Sequence, residues 1–202
     1  MKRVAVTLLL LVIIAAVVGK LVVFDIATIA GSGMAPTVLP GDWLVAYKLD
    51  TKPKRGDLVL MQHPKRNVVM VRRVVGLPGE RVAVRAEVPH VDGKAAARKA
   101  LGEGTLSMSG EKVKVRRIEE RVGGVGYVVL KDLGRRSVDF GEVKLSGAYF
   151  VMADNRNRGT DSRTFGPVPE GNIRGVIVKR LKAGEPRMAG ETARGDFAPT
   201  LK

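Results

Sequence analysis

Short apolar segments separated by glycine and proline are the feature that most constrains the fold of this chain. Trp43 to Tyr47 and Asp57 to Met61 are rich in β-branched or bulky side chains, and turn signals such as Pro40-Gly41-Asp42 and Pro78-Gly79 lie between such segments. Short apolar runs bounded by turn residues are typical of β-strands. The sequence therefore predicts a mainly β domain over residues 25–182.

The pattern is looser and more basic between about residues 89 and 143. We interpret this part as a variable insert, either a subdomain or a set of long hairpins, with a short helix over Lys94 to Ala100. Glycine, proline and charge dominate from Ala183 to Lys202. Segments of that composition bury little apolar surface, which predicts a flexible tail over residues 183–202.

The N-terminus carries an apolar run from Val4 to Gly19, and after Lys20 the apolar character continues to Phe24. A membrane span needs ~20 apolar residues, and a lysine near its end can extend to the lipid surface. We expect residues 1–24 to be a retained anchor rather than a cleaved signal. Lys2 and Arg3 predict a single-pass protein of the cytoplasmic membrane, with the β domain on the extracytoplasmic side.

The chain carries 35 Lys and Arg against 20 Asp and Glu, a net charge of +15. Such a balance suits either nucleic acid or an anionic membrane surface. The sequence has no helix-turn-helix pattern, zinc-finger spacing or aromatic-basic platform, so no nucleic acid is expected as a partner. It contains no cysteine, and its carboxylates are dispersed. No metal or other cofactor is therefore expected.

Four motifs follow one another along the chain. The first is residues 31–42, around Ser32-Gly33-Met34-Ala35-Pro36-Thr37; the second is Lys54 to Val59; the third is Val71 to Glu80; and the fourth is Met152 to Pro169. In this order, after an N-terminal apolar run, they resemble the bacterial type I signal peptidase family. The resemblance implies a predominantly β, multi-sheet domain close to the membrane surface.

The resemblance also implies that the family's reacting groups are missing. Gly33 stands at the position of the nucleophilic serine, Arg72 at that of the general-base lysine, and Gly159 where a serine often orients that lysine. Ala153 replaces the usual glycine of the fourth motif. Glycine has no hydroxyl, and a guanidinium with a pKa above ~12 cannot serve as a base. A homologue without the catalytic dyad is therefore expected.

Other positions match the family and are expected to be kept. The implied structural charge network consists of Arg73, Asp154, Asp161 and Arg163. An extended peptide is expected to lie between Thr28 to Ser32 and Val69 to Val71, because backbone pairing needs no nucleophile. The implied peptide-binding residues are Ile29, Ala30, Gly31, Ser32, Met34, Pro36, Met70 and Val71. Expected partners are a signal or secreted peptide, membrane lipid, and an active signal peptidase or a secretion or pilus component.

Two alternatives remain open at this level. They stand beside the homologue without a dyad. One is a divergent signal peptidase that works through Ser32, with Lys48 or Lys65 as base, and the other is a basic scaffold at the membrane surface. Adjacent side chains of an extended segment point to opposite sides, so Ser32 is predicted to face away from Arg72. His63 and His90 are predicted to be surface imidazoles rather than catalytic groups.

The predicted topology is testable with protease. The anchor and its cytoplasmic Lys2 and Arg3 place the β domain outside the cytoplasm, so protease added to intact spheroplasts is expected to digest the domain. A cytoplasmic marker protein in the same cells serves as control. Full protection of the domain would contradict the topology, and release of the protein by high salt alone would contradict the anchor.

Overall fold

The computed structural model describes residues 19, 23–49, 52–108, 111–184 and 188–189. Within these ranges the chain is almost entirely strand and turn, which confirms the predicted mainly β fold. The strands are β1 (Phe24–Thr28), β2 (Trp43–Tyr47), β3 (Leu58–Gln62), β4 (Val69–Gly76), β5 (Arg81–Arg85), β6 (Val88–Val91), β7 (Lys94–Ala95), β8 (Ala97–Met108), β9 (Glu111–Val122), β10 (Val125–Asp132), β11 (Phe140–Lys144), β12 (Ala148–Met152), β13 (Val168–Pro169), β14 (Ile173–Lys182) and β15 (Met188–Ala189). A short helix, α1 (Ser162–Phe165), and a 3₁₀ turn, Glu170–Asn172, lie beside β13.

The described strands form three sheets through antiparallel pairings. The largest has seven strands in the order β1-β2-β14-β3-β4-β12-β13. The two smaller sheets have the orders β10-β9-β8-β15 and β11-β5-β6-β7. The large sheet combines strands from both ends of the domain, so that it brings the four motifs close together although they are distant in sequence.

The centre of the large sheet is buried on both faces. Along β3, Leu58 and Leu60 pack in one apolar cluster with Met34 of the first motif. Val59 and Met61 point to the opposite face and join a second cluster, as expected from the alternation of side chains along a strand. The first motif is thus held against one face of this sheet by its own buried apolar residues.

The insert, residues 89–143, is built of hairpins. β8 and β9 form the longest, and β10 continues the same sheet. The short helix predicted over Lys94 to Ala100 is wrong, because these residues form β7 and the start of β8. Ala97 pairs with Arg121, and Ala96 is buried. Such pairing and burial outweigh a weak local preference for helix.

The predicted tail begins with residues that are attached to the domain. The backbone N–H of Gly184 donates to Asp42 Oδ1 at 2.6 Å. β15 pairs with β8 through Leu106 and Thr105. Local composition gives no sign of these contacts, because their partners lie far away in sequence.

The predicted anchor, residues 1–24, lies mostly outside the described residues. Its last residue, Phe24, begins β1 and pairs with Tyr47, so this residue is part of the large sheet. Among the described residues, no helix has both the length and the apolar composition needed to cross a membrane.

We expect Gly76→Ala to destabilise the domain. A Cβ on Gly76, at the end of β4, would lie 2.5 Å from Val82 Cγ2 and 2.8 Å from Leu145 Cδ1. Overpacking a core costs about 1–3 kcal/mol. Gly104→Ala in β8 is the control, since a Cβ there meets nothing within 4 Å. Urea unfolding measures the stability of both variants. Equal unfolding midpoints would show that the core accommodates a methyl group at Gly76 without cost.

Candidate active-site region and peptide cleft

The first motif forms consecutive turns between β1 and β2. The N–H of Val38 donates to the carbonyl of Met34 at 2.9 Å, and both side chains are buried. The N–H of Asn155 donates to the carbonyl of Gly33 at 3.0 Å. The backbone at Gly33 is therefore held by contacts within the first motif and by a bond from the fourth.

Gly33, Arg72 and Gly159 lie together. A Cβ on Gly33 would be 3.5 Å from Gly159 Cα and 3.6 Å from both Nη1 and Nη2 of Arg72. These are the positions to which the resemblance gives the nucleophile, the base and the residue that orients the base. None of the residues found there has a hydroxyl, thiol or amine in its side chain. This point accordingly lacks the activated nucleophile that covalent catalysis requires.

Arg72 reaches this point from β4. Its Nε donates to the carbonyl of Thr160 at 2.6 Å, and its Nη1 donates to the carbonyl of Val71 at 2.6 Å. Within the described part of the chain, no carboxylate lies within ion-pair distance of its guanidinium, since the nearby acids pair with other arginines. The side chain is thus oriented by carbonyl groups and forms no ion pair of its own among the described residues.

Arg72 stays cationic although its surroundings lower its pKa. Burial lowers the pKa of Arg72, whereas the charges of Asp161 and Asp154 raise it and that of Arg163 lowers it, so that the net shift is downward. An arginine guanidinium still does not lose its proton in a protein. Arg72 therefore cannot accept a proton as a general base.

Arg73, the next residue of β4, has the opposite environment. Its Nε and Nη2 donate to the two carboxylate oxygens of Asp154 at 2.8 and 2.6 Å. Its Nη1 donates to the carbonyl of Gly56 at 2.7 Å, and Nη2 to Thr37 Oγ1 at 3.1 Å. Burial alone would lower the pKa of Arg73, but Asp154 raises it above its ordinary value. A bidentate, charge-assisted contact of this kind holds both groups in fixed positions.

Asp161 and Arg163 form a second buried ion pair. Arg163 Nε and Nη2 donate to the Asp161 carboxylate at 2.8 and 2.6 Å, and the Arg163 N–H donates to it at 3.0 Å at the start of α1. Asp161 also accepts the N–H of Ala153 at 2.9 Å. The charged residues predicted from the sequence thus occur as two pairs, both buried.

A buried polar cluster packs against Arg73 and was not predicted from the sequence. The Tyr127 ring lies 4.6 Å from the guanidinium of Arg73, and its hydroxyl donates to Glu120 Oε1 at 3.1 Å. Glu120 is paired with Arg156 at 2.5 Å and Arg98 at 2.6 Å. Burial alone would raise the pKa of Glu120, but the charges of Arg156 and Arg98 hold it below its ordinary value. Glu120 and Tyr127 lie in the insert, where no motif spacing marks them.

Ala153 and Gly159 are sterically coupled. A Cβ on Gly159 would be only 2.1 Å from the Cβ of Ala153. Ala153 is fully buried, and the methyl group is attached directly to the backbone, so it cannot rotate away. The family pattern has glycine at the first position and often serine at the second. The methyl group of Ala153 therefore takes the space that a serine at position 159 would need.

A cleft of about 260 Å³ opens beside Gly33 and Arg72. On the β4 side, Arg73 to Gly76 pair with β12, whereas Val69 to Arg72 pair only with β3 among the described strands. Val69 to Arg72 therefore have one backbone edge without a partner strand among the described residues, and on this edge the carbonyl of Val71 accepts Nη1 of Arg72. The cleft is lined by Thr28, Ile29, Ala30, Gly31, Gly33, Met34, Val69, Met70, Val71 and Arg72.

Two residues predicted to bind peptide do not line the cleft. Pro36 is buried within the first motif. Ser32 is partly buried and is not among the residues that line the cleft. Lys48 and Lys65, the candidate bases for Ser32, do not line it either. The cleft therefore offers no serine–lysine pair.

His63, predicted to be a surface imidazole, is only 7% exposed. Its ring packs 4.6 Å from that of Phe165, and Nδ1 accepts the Lys65 N–H at 3.0 Å. Burial is the main cause that lowers the pKa of His63, and nearby cationic side chains lower it further. The surface prediction is wrong because Phe165 reaches His63 from the distant fourth motif.

The model of the family "Signal peptidase, peptidase S26" matches residues 1–181 of the chain. The chain belongs to the signal peptidase family. It is 34% identical over 180 residues to a signal peptidase I of Bacillus licheniformis, covering 86% of this chain and 81% of that protein. It is 34% identical over 169 residues to signal peptidase I V of Bacillus subtilis, covering 82% and 90%.

A crystal structure of a signal peptidase I from Enterococcus faecalis covers 62% of this chain and 96% of its own, at 24% identity and a TM-score of 0.38. Membership in the signal peptidase family, shown by the family model and the relatives, supports a signal-peptidase-like role. It implies preproteins that carry signal peptides as the class of substrate.

We expect Gly159→Ala to destabilise the domain by about 1–3 kcal/mol or more, because the new methyl group overpacks against Ala153. Adding Ala153→Gly is expected to recover most of that loss, since it vacates the same space. Urea unfolding of the natural protein, both single variants and the double variant gives the coupling energy. Additive effects would contradict the shared space.

Proposed function

We propose that this protein is a membrane-anchored member of the signal peptidase family that binds extended peptides without cleaving them. In this role it serves as a binding, chaperone or assembly factor in protein secretion. The convergence of Gly33, Arg72 and Gly159 carries this proposal. Hydrolysis of the family's type needs a serine hydroxyl and a neutral amine, and a glycine and a guanidinium supply neither. Loss of an activated nucleophile costs about a million-fold in kcat in a serine protease.

Peptide binding is supported by the edge of Val69 to Arg72, which has no partner strand among the described residues, beside a cleft lined mainly by apolar residues. An extended segment gains backbone hydrogen bonds by adding to such an edge, and this gain is independent of the nucleophile. Ordering the peptide costs conformational entropy. We therefore expect a Kd in the micromolar range.

The location and partners follow from the N-terminal segment. With residues 1–24 as anchor and Lys2 and Arg3 on the cytoplasmic side, the cleft faces secreted chains as they leave the membrane. Signal or secreted peptides are then the ligands, and membrane lipid forms the surroundings. An active signal peptidase, or a secretion or pilus component, is the kind of protein partner that such a factor serves.

The natural protein is expected not to cleave a preprotein that has a small-x-small site. Gly33→Ser alone is expected to stay inactive, because Arg72 cannot take the serine proton. Gly33→Ser with Arg72→Lys is expected to show measurable cleavage. The serine fits, since a Cβ at Gly33 has no contact shorter than 3.5 Å. Cleavage of one labelled preprotein by all three proteins is the measurement.

Adding Gly159→Ser to that double variant is expected to help only together with Ala153→Gly, for the steric reason given above. Ser32→Ala in the natural protein is the control. Turnover by the natural protein that disappears in Ser32→Ala would contradict the proposal and establish a divergent peptidase. Salt-sensitive binding to anionic vesicles, without any peptide binding, would instead indicate a scaffold at the membrane surface.

A further inference from the structure

We propose that the cleft recognises the free C-terminal carboxylate of its peptide and that Arg72 is the receptor for this group. The ligand class rests on the proposed peptide-binding function of the cleft. It consists of extended peptides whose last residue lies beside Gly33. An internal peptide segment carries no charge at this place and is held by backbone pairing alone.

The balance of charges around Arg72 leaves room for one anion. Asp154 is neutralised by Arg73 and Asp161 by Arg163, each through contacts of 2.6 Å. The two carboxylates whose charges act most strongly on Arg72 are therefore already paired with other arginines. Arg72 is half-buried beside the cleft, so water only partly screens its charge. A carboxylate brought by a ligand is attracted by this charge, whereas a neutral amide is not.

The guanidinium of Arg72 is already positioned for such a contact. The carbonyls of Thr160 and Val71 hold Nε and Nη1 in place. Nη2 has no acceptor among the residues that the structure describes. Guanidinium and carboxylate groups often pair through two parallel hydrogen bonds with N–O distances of about 2.7–2.9 Å. Because Arg72 is held before the ligand arrives, less entropy is lost on binding.

Gly33 leaves the end of the Arg72 guanidinium uncovered. A Cβ on Gly33 would contact Nη1 and Nη2 of Arg72 at 3.6 Å, so the missing side chain frees the volume next to both atoms, and both residues line the cleft. A peptide that pairs with Val69 to Val71 reaches Arg72 at the next residue of the strand. The nucleophile position of the family thus becomes the place where the peptide chain ends.

A carboxylate at the end of a peptide is a product of peptide-bond hydrolysis. The class of reaction that supplies this ligand is therefore proteolysis by another enzyme. The protein then retains a cleaved segment, in contrast to an enzyme that binds the intact chain across the bond to be broken.

The test compares two synthetic peptides of one sequence ending in Ala-x-Ala, one with a free C-terminal carboxylate and one with a C-terminal amide. Each is titrated against the full chain in detergent at pH 7, where an α-carboxyl group with a pKa of about 3.3–3.7 is charged. We expect the acid to bind at least about tenfold more tightly, which corresponds to about 1.4 kcal/mol. High salt is expected to reduce this difference.

Arg72→Gln is expected to abolish the difference by weakening only the acid, since glutamine keeps polar hydrogens but has no charge. Arg85→Gln is the matched control, because the side chain of Arg85 is 65% exposed and does not line the cleft. It is expected to preserve the tenfold preference. Circular dichroism establishes that both variants are folded.

The outcomes separate the two proposals. Equal affinity for acid and amide in the natural protein overturns carboxylate recognition but leaves the peptide cleft in place. A preference for the acid that survives in folded Arg72→Gln also overturns it, because another residue is then the receptor. Absence of saturable binding of both peptides, in the natural protein and in Arg72→Ala, overturns the peptide-binding function itself.

Discussion

The guanidinium of Arg73 is the group on which this site depends. It is 1% exposed, and its partners come from the three other motifs: Thr37 from the first, Gly56 from the second and Asp154 from the fourth. A buried cation must have its hydrogen bonds and its charge satisfied, so each partner is held where Arg73 requires it. Arg73 thus connects all four motifs at one point, beside the buried apolar cluster that also contains residues of each motif.

The contacts of Arg73 do not involve Gly33 or Arg72, so they do not depend on the side chains at these two positions. The same arrangement determines the electrostatics of the cleft. Because Arg73 contacts both carboxylate oxygens of Asp154, the neighbouring Arg72 has no ion-pair partner among the described residues. Two adjacent arginines on one strand therefore differ in their surroundings: Arg73 is held in a buried ion pair, and Arg72 lines the cleft.

The free volume next to Gly33 differs from that next to Gly159. Gly33 leaves an opening beside Arg72, whereas the space next to Gly159 is filled by the methyl group of Ala153. The missing side chain at Gly33 leaves volume in the cleft, and the methyl group of Ala153 leaves none for a side chain at position 159. Under the proposed assignment of these positions, recovery of peptidase activity requires changes at both ends of the site.

The sequence by itself determined the mainly β character, the order of the four motifs and the absence of a hydroxyl and a titratable amine at Gly33 and Arg72. These properties follow from local patterns and from side-chain identity, which no fold alters. Only the tertiary structure decided that Arg73 rather than Arg72 binds Asp154, and that Ala153 blocks position 159. Both outcomes depend on competition for one partner or one volume between residues that are distant in sequence. Such competition is resolved only when the chain is packed in three dimensions.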